Sequence, residues 1–271
     1  MDIGIIIGFV IGIGGIAMGH LVESKMQVVA GFMPLIQPTA AMIVIGGTVG
    51  ALLVSFPLDS VMKLPSIVIS LFFTQKHDPV HIINQLAELS EKARKDGLLS
   101  LEQDAQTTDN ELIKKGLGLV VDGIETDVIR DILTREVELH ESVHEKGEKM
   151  LEAMGGFGPT MGVLGTVMGM VGILGEMGGD TNELAKKIAV AFVATLYGVG
   201  TANVIYLPMA GRIKAKGQAE QMINDLIIEG LLSIQAGENP KIIKEKLNLN
   251  LVEKLYGSAK AAPKAGGEAE G

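Results

Sequence analysis

The side chains in this sequence best suited to meeting an ion or a charged partner are two hydroxyls, Thr166 and Thr195, and two opposite charges, Arg94 and Glu102. Thr166 lies in GPTMGVLGTVMGMVG, residues 158–172, and Thr195 in AVAFVATLYGVGTAN, residues 189–203, neither of which holds a charge. A threonine in a helix usually bonds back to its own backbone, yet two hydroxyls beside one contact surface also present two hard oxygens, part of a coordination shell for a passing ion. Arg94 and Glu102 stand on either side of Gly97, so two helices, or a helix and a turn, can present both outward; the spacing alone is that of ordinary solvated charges. His140 and His144 share a helix face with Glu136 or Glu141 nearby, but no further histidine or cysteine completes a metal set there, and no metal is assigned. The string GIIIGFVIGIGG has neither the lysine nor the strand context of a phosphate loop. With no catalytic cluster either, neither an enzyme nor a cofactor is expected.

The elements that carry these residues follow from hydropathy. The 271 residues are 47% hydrophobic with 35 glycines and only 20% charged, and the chain is free of charge over Ile3–Gly19, Met26–Leu58, Ala153–Gly175 and Ile188–Gly211. Soluble helices rarely stay uncharged for some 20 residues, whereas a membrane span requires about that length. The expected fold class is an all-α integral membrane protein with four transmembrane helices and a helical cytoplasmic domain. A secretory signal at the N-terminus is rejected because Asp2 replaces the basic n-region and no small-residue cleavage site follows. Lys63, Lys146 and Lys149 flank spans two and three, and Arg212, Lys214 and Lys216 follow span four; these basic flanks place both termini in the cytoplasm, against the vote of Lys186 and Lys187 and with that of Glu176, Asp180 and Glu183. The absence of cysteine excludes disulfides, and the net charge of −9 offers nucleic acid no basic surface.

Within span three, Gly158, Gly162, Gly165, Gly169 and Gly172 fall in an arc of about 80° on a helical wheel, leaving one side nearly bare backbone. Ala191, Thr195, Gly198 and Ala202 repeat the device in span four, and Gly4, Gly8, Gly12, Gly15 and Gly19 in span one. Lipid gives little hydrophobic drive for helices to associate, so such faces imply close van der Waals contact. Packing within the chain is one use; three such faces favour an oligomer or a central partner. Thr166 sits beside the span-three stripe. Pro159 and Pro208 remove amides from the helical ladder, either at the ends of spans or as kinks that let a helix move. No Asp, Glu, Lys, Arg or His occurs in Ala153–Gly175 or Ile188–Gly211, although an ion translocator normally keeps an ionisable group in the membrane. Either these helices conduct nothing, or another polypeptide supplies the carboxylate.

The remaining chain divides by composition. Residues 1–58 hold spans one and two, 59–151 a cytoplasmic helical domain, 152–211 spans three and four, 212–256 C-terminal helices and 257–271 a tail with nothing to bury. Residues 62–75 read as an interfacial helix. After Pro79, Val80, Ile83, Leu86 and Leu89 make the apolar face of a helix stopped at Gly97, Ser100 with Gln103 reads as a capping box, and TDVIRDILTREVELHESVHEKGEKMLEAM as a long helix entering span three.

The segments GFGPTMGVLGTVMGMVGIL, AVAFVATLYGVGTANVIYLPMAGRIKAK and ARKDGLLSLEQD, in this order, resemble the A-subunit family of flagellar motor stators, MotA and, in sodium-driven motors, PomA, relatives of the TolQ and ExbB energisers. The resemblance covers nearly the whole chain to about Tyr256. It implies a homo-oligomer in the bacterial inner membrane, in which five A subunits surround two B subunits. Each B helix carries the ion-accepting aspartate, proton or sodium is transported, and the cytoplasmic domains push the rotor protein FliG. By the same resemblance Thr195 is the ring threonine facing the partner aspartate, and Thr166 stands where sodium-using members are similar to this chain. Pro159 and Pro208 match the prolines that couple ion flow to motion, and Arg94 and Glu102 match the rotor-binding charges, with Lys95 and Asp96 as weaker candidates. A TolQ- or ExbB-like energiser is the nearest alternative, but those relatives usually place one span before the large cytoplasmic domain, where this chain has two. A passive oligomeric scaffold would keep the small faces without needing the threonines or the rotor pair.

Overall fold

A computed structural model describes residues 3–73, 78–175 and 181–260; Glu176 and Asp180 of the expected outer loop and residues 261–271 of the tail lie outside them. Among the described residues every regular element is helical: α1 (Ile3–Glu23), α2 (Val28–Phe32), α3 (Pro38–Ala41), α4 (Gly47–Ser55), α5 (Leu58–Ser70), α6 (Pro79–Asp96), α7 (Glu102–Thr107), α8 (Glu111–Val121), α9 (Thr126–Leu174), α10 (Thr181–Thr201), α11 (Leu207–Gln235) and α12 (Pro240–Lys260). Four stretches, Ile3–Glu23, Met33–Ser55, Thr126–Leu174 and Lys187–Gln235, are long and apolar enough to cross a membrane. The chain forms two compact units, residues 1–74 with 143–216 and residues 75–142 with 217–271. Both draw on the long helices α9 and α11.

In the first unit, span two is broken, and the sequence says where. Pro34 and Pro38 bracket Ile36 and Gln37, which are extended at φ −87° and −124°, because a residue ahead of proline is pushed out of the helical region. The break frees a carbonyl and an amide that lipid cannot satisfy. Tyr197 of α10 does so: its hydroxyl donates to the Leu35 carbonyl and accepts from the Gln37 amide at 3.2 Å. Ala40 and Val44 then pack on Val193 and Ala194, and Leu52 joins Leu64, Ile67, Met150, Met154 and Ile213 in a second cluster. The helix expected over 62–75 is α5, shifted to Leu58–Ser70, starting behind Pro57. Its last turn meets the Lys216 ammonium, 3.3 Å from the Ser70 carbonyl, a favourable place for a cation.

The second unit buries one cluster, including Ile83, Leu86, Leu117, Leu133, Leu226, Leu231 and Leu247. Asp78 caps α6 through the Val80 amide at 3.0 Å, and the helix ends at Gly97, whose φ of 84° suits glycine. The apolar face differs by one member: Ile82 is buried and Val80 is exposed, since Val80 lies in the first turn beside its cap. The capping box at Ser100 does not form. Ser100 sits within a 3₁₀ turn, Leu98–Leu101, and its hydroxyl donates to the Gly97 carbonyl at 2.6 Å, so α7 begins after Leu101 without a side-chain cap. Helix α12 continues to Lys260, into the first residues of the tail.

One carboxyl here is placed at a cost. Glu141 has a buried Oε1 without a hydrogen-bond partner, and burial first, then the charges of Asp225 and Glu138, raise its pKa above the ordinary value of 4.5. The folded chain therefore holds this proton more tightly than the unfolded chain. Its contribution to stability is present at acid pH and lost as pH rises through the folded pKa. Glu141→Gln is expected to raise the thermal midpoint of the full chain at neutral pH, with the advantage over wild type vanishing below about pH 4.5; melting curves across that range check it, and a pH-independent difference counts against it.

Candidate functional site

The seam between α9 and α10 is where the glycines, the threonines and one of the prolines meet. A Cβ on Gly158 would lie 3.1 Å from the Gly198 carbonyl oxygen, one on Gly162 3.0 Å from that of Ala194, one on Gly165 2.8 Å from the Ala194 Cβ, and one on Gly169 2.7 Å from the Ala191 Cβ. The partner number falls as the stripe number rises, so the helices run antiparallel, backbone against backbone. A Cβ on Gly198 would strike the Gly158 carbonyl oxygen, and Ala202 packs beside Gly158. Four of the five stripe glycines thus face α10 of the same chain. Of the two uses open to the span-three stripe, packing within the chain accounts for these four glycines. Two small faces in one chain complement each other, and van der Waals packing is strongest where backbones touch. Gly172 meets nothing within 4 Å, nor do Gly8, Gly15 and Gly19 of α1.

The seam brings the two hydroxyls together. Thr166 Oγ1 lies 2.5 Å from Thr195 Oγ1, 2.9 Å from the Ala191 carbonyl oxygen and 3.1 Å from that of Gly162. Four oxygens therefore converge at one level of two otherwise apolar helices, both threonines being half-buried. One proton serves the hydroxyl–hydroxyl bond and the other is left for a carbonyl or an incoming acceptor. A cluster of uncharged oxygens of this kind suits a hard cation or a protonated carboxyl, provided that another group brings the charge.

Both prolines are interior to helical runs instead of terminal. Pro159 lies inside α9, where the missing amide and the crowded carbonyl four residues back fall on Gly155. Pro208 follows a π-helical turn, Ala202–Tyr206, in which the Leu207 amide bonds to the Ala202 carbonyl. That wide turn spreads the backbone where the proline ring would crowd Val204. A second π turn, Met42–Gly46, precedes Gly47 in span two, and one turn on, the Thr48 hydroxyl is buried without a partner. Tyr197, Thr48 and the two π turns were not read from the sequence; the proline pair around Ile36 was the visible signal of the break that Tyr197 answers, and Pro208 that of the Ala202–Tyr206 turn.

In the second unit Arg94 occupies the last turn of α6 and Glu102 opens α7, with the left-handed Gly97 and one 3₁₀ turn between them. Both side chains are exposed, and neither forms an ion pair among the described residues. Their neighbours do: Lys95 bonds Glu91 at 2.6 Å and Lys92 bonds Asp104 at 2.6 Å. The Lys95 ammonium holds the Glu91 carboxyl below its usual range and is itself raised by it. Around this corner Arg94, Asp96 and Glu102 are thus exposed and outside the ion pairs of the described residues. His140 Nε2 lies 3.8 Å from Glu136 Oε1, and no group of three potential metal ligands occurs among the described residues.

This geometry is that of a four-span helical membrane protein with a separate helical soluble unit. A family model described as the MotA/TolQ/ExbB proton channel family matches residues 104–225. Motility protein A of Bacillus subtilis is 35% identical over 255 residues, which cover 94% of this chain and 92% of that protein. Among solved structures, the flagellar MotAB stator complex from Bacillus subtilis matches with a TM-score of 0.82 at 35% identity, covering 95% of this chain and 98% of the matched one, and C. jejuni MotAB with a TM-score of 0.84 at 26% identity, covering 92% and 96%. The chain belongs to the MotA/TolQ/ExbB proton channel family.

Because the seam is backbone on backbone, it has no side chain that can yield. Gly198→Ala is expected to cost about 1–3 kcal/mol of overpacking and to lower the melting midpoint in detergent. Gly172→Ala, facing open space, should leave the midpoint unchanged or raise it through helix propensity. Equal effects of the two substitutions would show that the seam is not the critical contact.

Proposed function

We propose that this chain is the A subunit of an ion-driven flagellar stator in the bacterial inner membrane, with both termini in the cytoplasm. The observation that carries this reading is the hydroxyl cluster of Thr166 and Thr195 in two spans without an ionisable side chain. Such a site can receive an ion but cannot supply the charge that conducts it. The charge comes from a B subunit, whose membrane carboxylate docks at Thr195 when protonated or loaded with sodium; likeness to two MotAB structures supports that partner. Five A subunits around two B subunits form the ring, and the small faces left unused by this chain, on α1 and at Gly172, are available to other helices or lipid.

Each ion crossing 100 mV of potential releases about 2.3 kcal/mol. That free energy acts on helices interrupted at Pro159, at Pro208 and at the adjoining π turn, where the ladder is already incomplete and bending breaks the fewest hydrogen bonds. Rotation of the ring then presses Arg94 and Glu102 of successive subunits on opposite charges of the rotor protein FliG. Exposed charges of this kind set register and encounter rate more than affinity.

Two measurements test this. Vesicles containing the chain with its B partner should pass protons or sodium down an imposed gradient, and vesicles with the chain alone should not; absence of partner-dependent flux under either gradient overturns the reading. Arg94→Glu should reduce torque in a motile cell while stator assembly, followed by fluorescence at the motor, is unchanged. Unaltered swimming would reject the rotor contact.

A further inference from the structure

In the second unit, α7 borders a cavity of about 390 Å³ whose lining includes Gln85, Leu89 and Lys92 of α6, Asp104 of α7, Thr108 directly after it and Leu117 of α8. Helix α7 has six residues and no side-chain cap at its start, too short to be held by its own hydrogen bonds. Its apolar anchors are Leu101, just ahead of it, and Ala105, both buried in the core cluster and four residues apart, hence on one line along the helix. Two polar ties within the cavity lining join it to α6. Lys92 Nζ lies 2.6 Å from Asp104 Oδ2, and Gln85 Nε2 lies 3.5 Å from Thr108 Oγ1, the second at the limit of a hydrogen bond. We propose that Lys92 and Asp104 are positioning residues, whose ion pair fixes the roll of α7 and thereby the place of Glu102 relative to Arg94.

Helical period sorts the four charges into an engaged pair and an open pair. At 100° per residue, Lys92 and Arg94 lie on opposite flanks of the buried Ala93, and Asp104 and Glu102 lie roughly 80° to either side of the Leu101–Ala105 line. One member from each helix enters the ion pair, and the other, Arg94 or Glu102, is exposed. A short helix resting on a single apolar line can roll about it, and the cavity leaves that roll without a packed stop toward α6. Rolling raises Glu102 as it lowers Asp104, so a bond that fixes Asp104 fixes Glu102 as well. Helix α6, with 18 residues and its own Asp78 cap, is the firm side of this bond, and α7 is the side that is held. With 38% and 33% of the two side chains exposed, the pair adds little to global stability. It acts on a smaller quantity, the balance between orientations of one short helix.

Because this rests on the reading of Arg94 and Glu102 as the rotor contact, one measurement leaves the rotor out. The chain has no cysteine, so a nitroxide on Gln103→Cys, at an exposed position of α7, reports the motion of that helix in the full chain. Lys92→Met and Asp104→Asn should each raise its mobility about two-fold, while shifting the melting midpoint by no more than about 2 °C. The second measurement is torque in motile cells, with stator assembly followed by fluorescence. Each neutral substitution should lower torque about two-fold, and the double variant should lose no more than the worse single one. Exchanging the charges, Lys92→Glu with Asp104→Lys, should recover most of the torque and the wild-type mobility. Charges that met the rotor directly would give additive losses and an exchange worse than either substitution alone. Such additivity, an exchange without rescue, or a nitroxide unmoved by both neutral substitutions would each overturn the proposal. Unaltered swimming with Arg94→Glu would remove the rotor contact itself, and the nitroxide then still decides whether the ion pair holds α7.

Discussion

The contact between the backbones of α9 and α10 is the constraint on which the membrane unit depends. In a bilayer, apolar side chains gain little by leaving lipid for one another, so two helices stay together only where they approach closely and everywhere along a line. Gly158, Gly162, Gly165 and Gly169 against Ala191, Ala194 and Gly198 meet that condition, with would-be Cβ positions about 3 Å or less from the opposing helix. The same proximity holds the oxygens of Thr166 and Thr195 at 2.5 Å. With larger residues in the stripe the hydroxyls would separate, and the oxygen cluster would disperse.

Close packing leaves the problem of the backbone's own polar groups. Lipid cannot satisfy a broken helix, yet the spans of this unit contain a proline-bracketed break in span two, two π turns and the interior prolines Pro159 and Pro208. Each is handled locally. Tyr197 answers the break at Leu35–Gln37, the π turn ahead of Pro208 gives its ring room, and glycine lies where Pro159 crowds the preceding turn. These irregularities cluster on or against α10 and its continuation, the helix that also carries Thr195. The helix that carries Thr195 thus runs directly into a π turn and Pro208, where its hydrogen-bond ladder is interrupted.

The soluble unit follows ordinary rules. Most of its described cations are engaged in pairs such as Lys95–Glu91 and Lys115–Glu136, worth little to stability. Arg94 and Glu102 remain open because the chain turns at Gly97 between them, and because Lys92 and Lys95, their nearest cationic neighbours, already have partners.

Helical class, the four apolar stretches and the lack of an acid in spans three and four were legible in the residues, and the family in the resemblance, which also singled out Thr166, Thr195, Arg94 and Glu102 as expectations. The former depend on composition and on helical period, which a linear string records. The capping box at Ser100 and the burial of Val80 misled, because both are decided within one turn by competing hydrogen bonds: Ser100 bonds Gly97 instead. What only the tertiary structure decided is which helix each small face meets. A glycine stripe states that something comes close and carries no side chain to say what. Only folding shows that α10 covers the stripe of α9 while that of α1 stays open, that Tyr197 reaches Leu35, and that two threonines on separate helices share a hydrogen bond. Each is a contact between residues distant in sequence, and its geometry is set by how the helices pack.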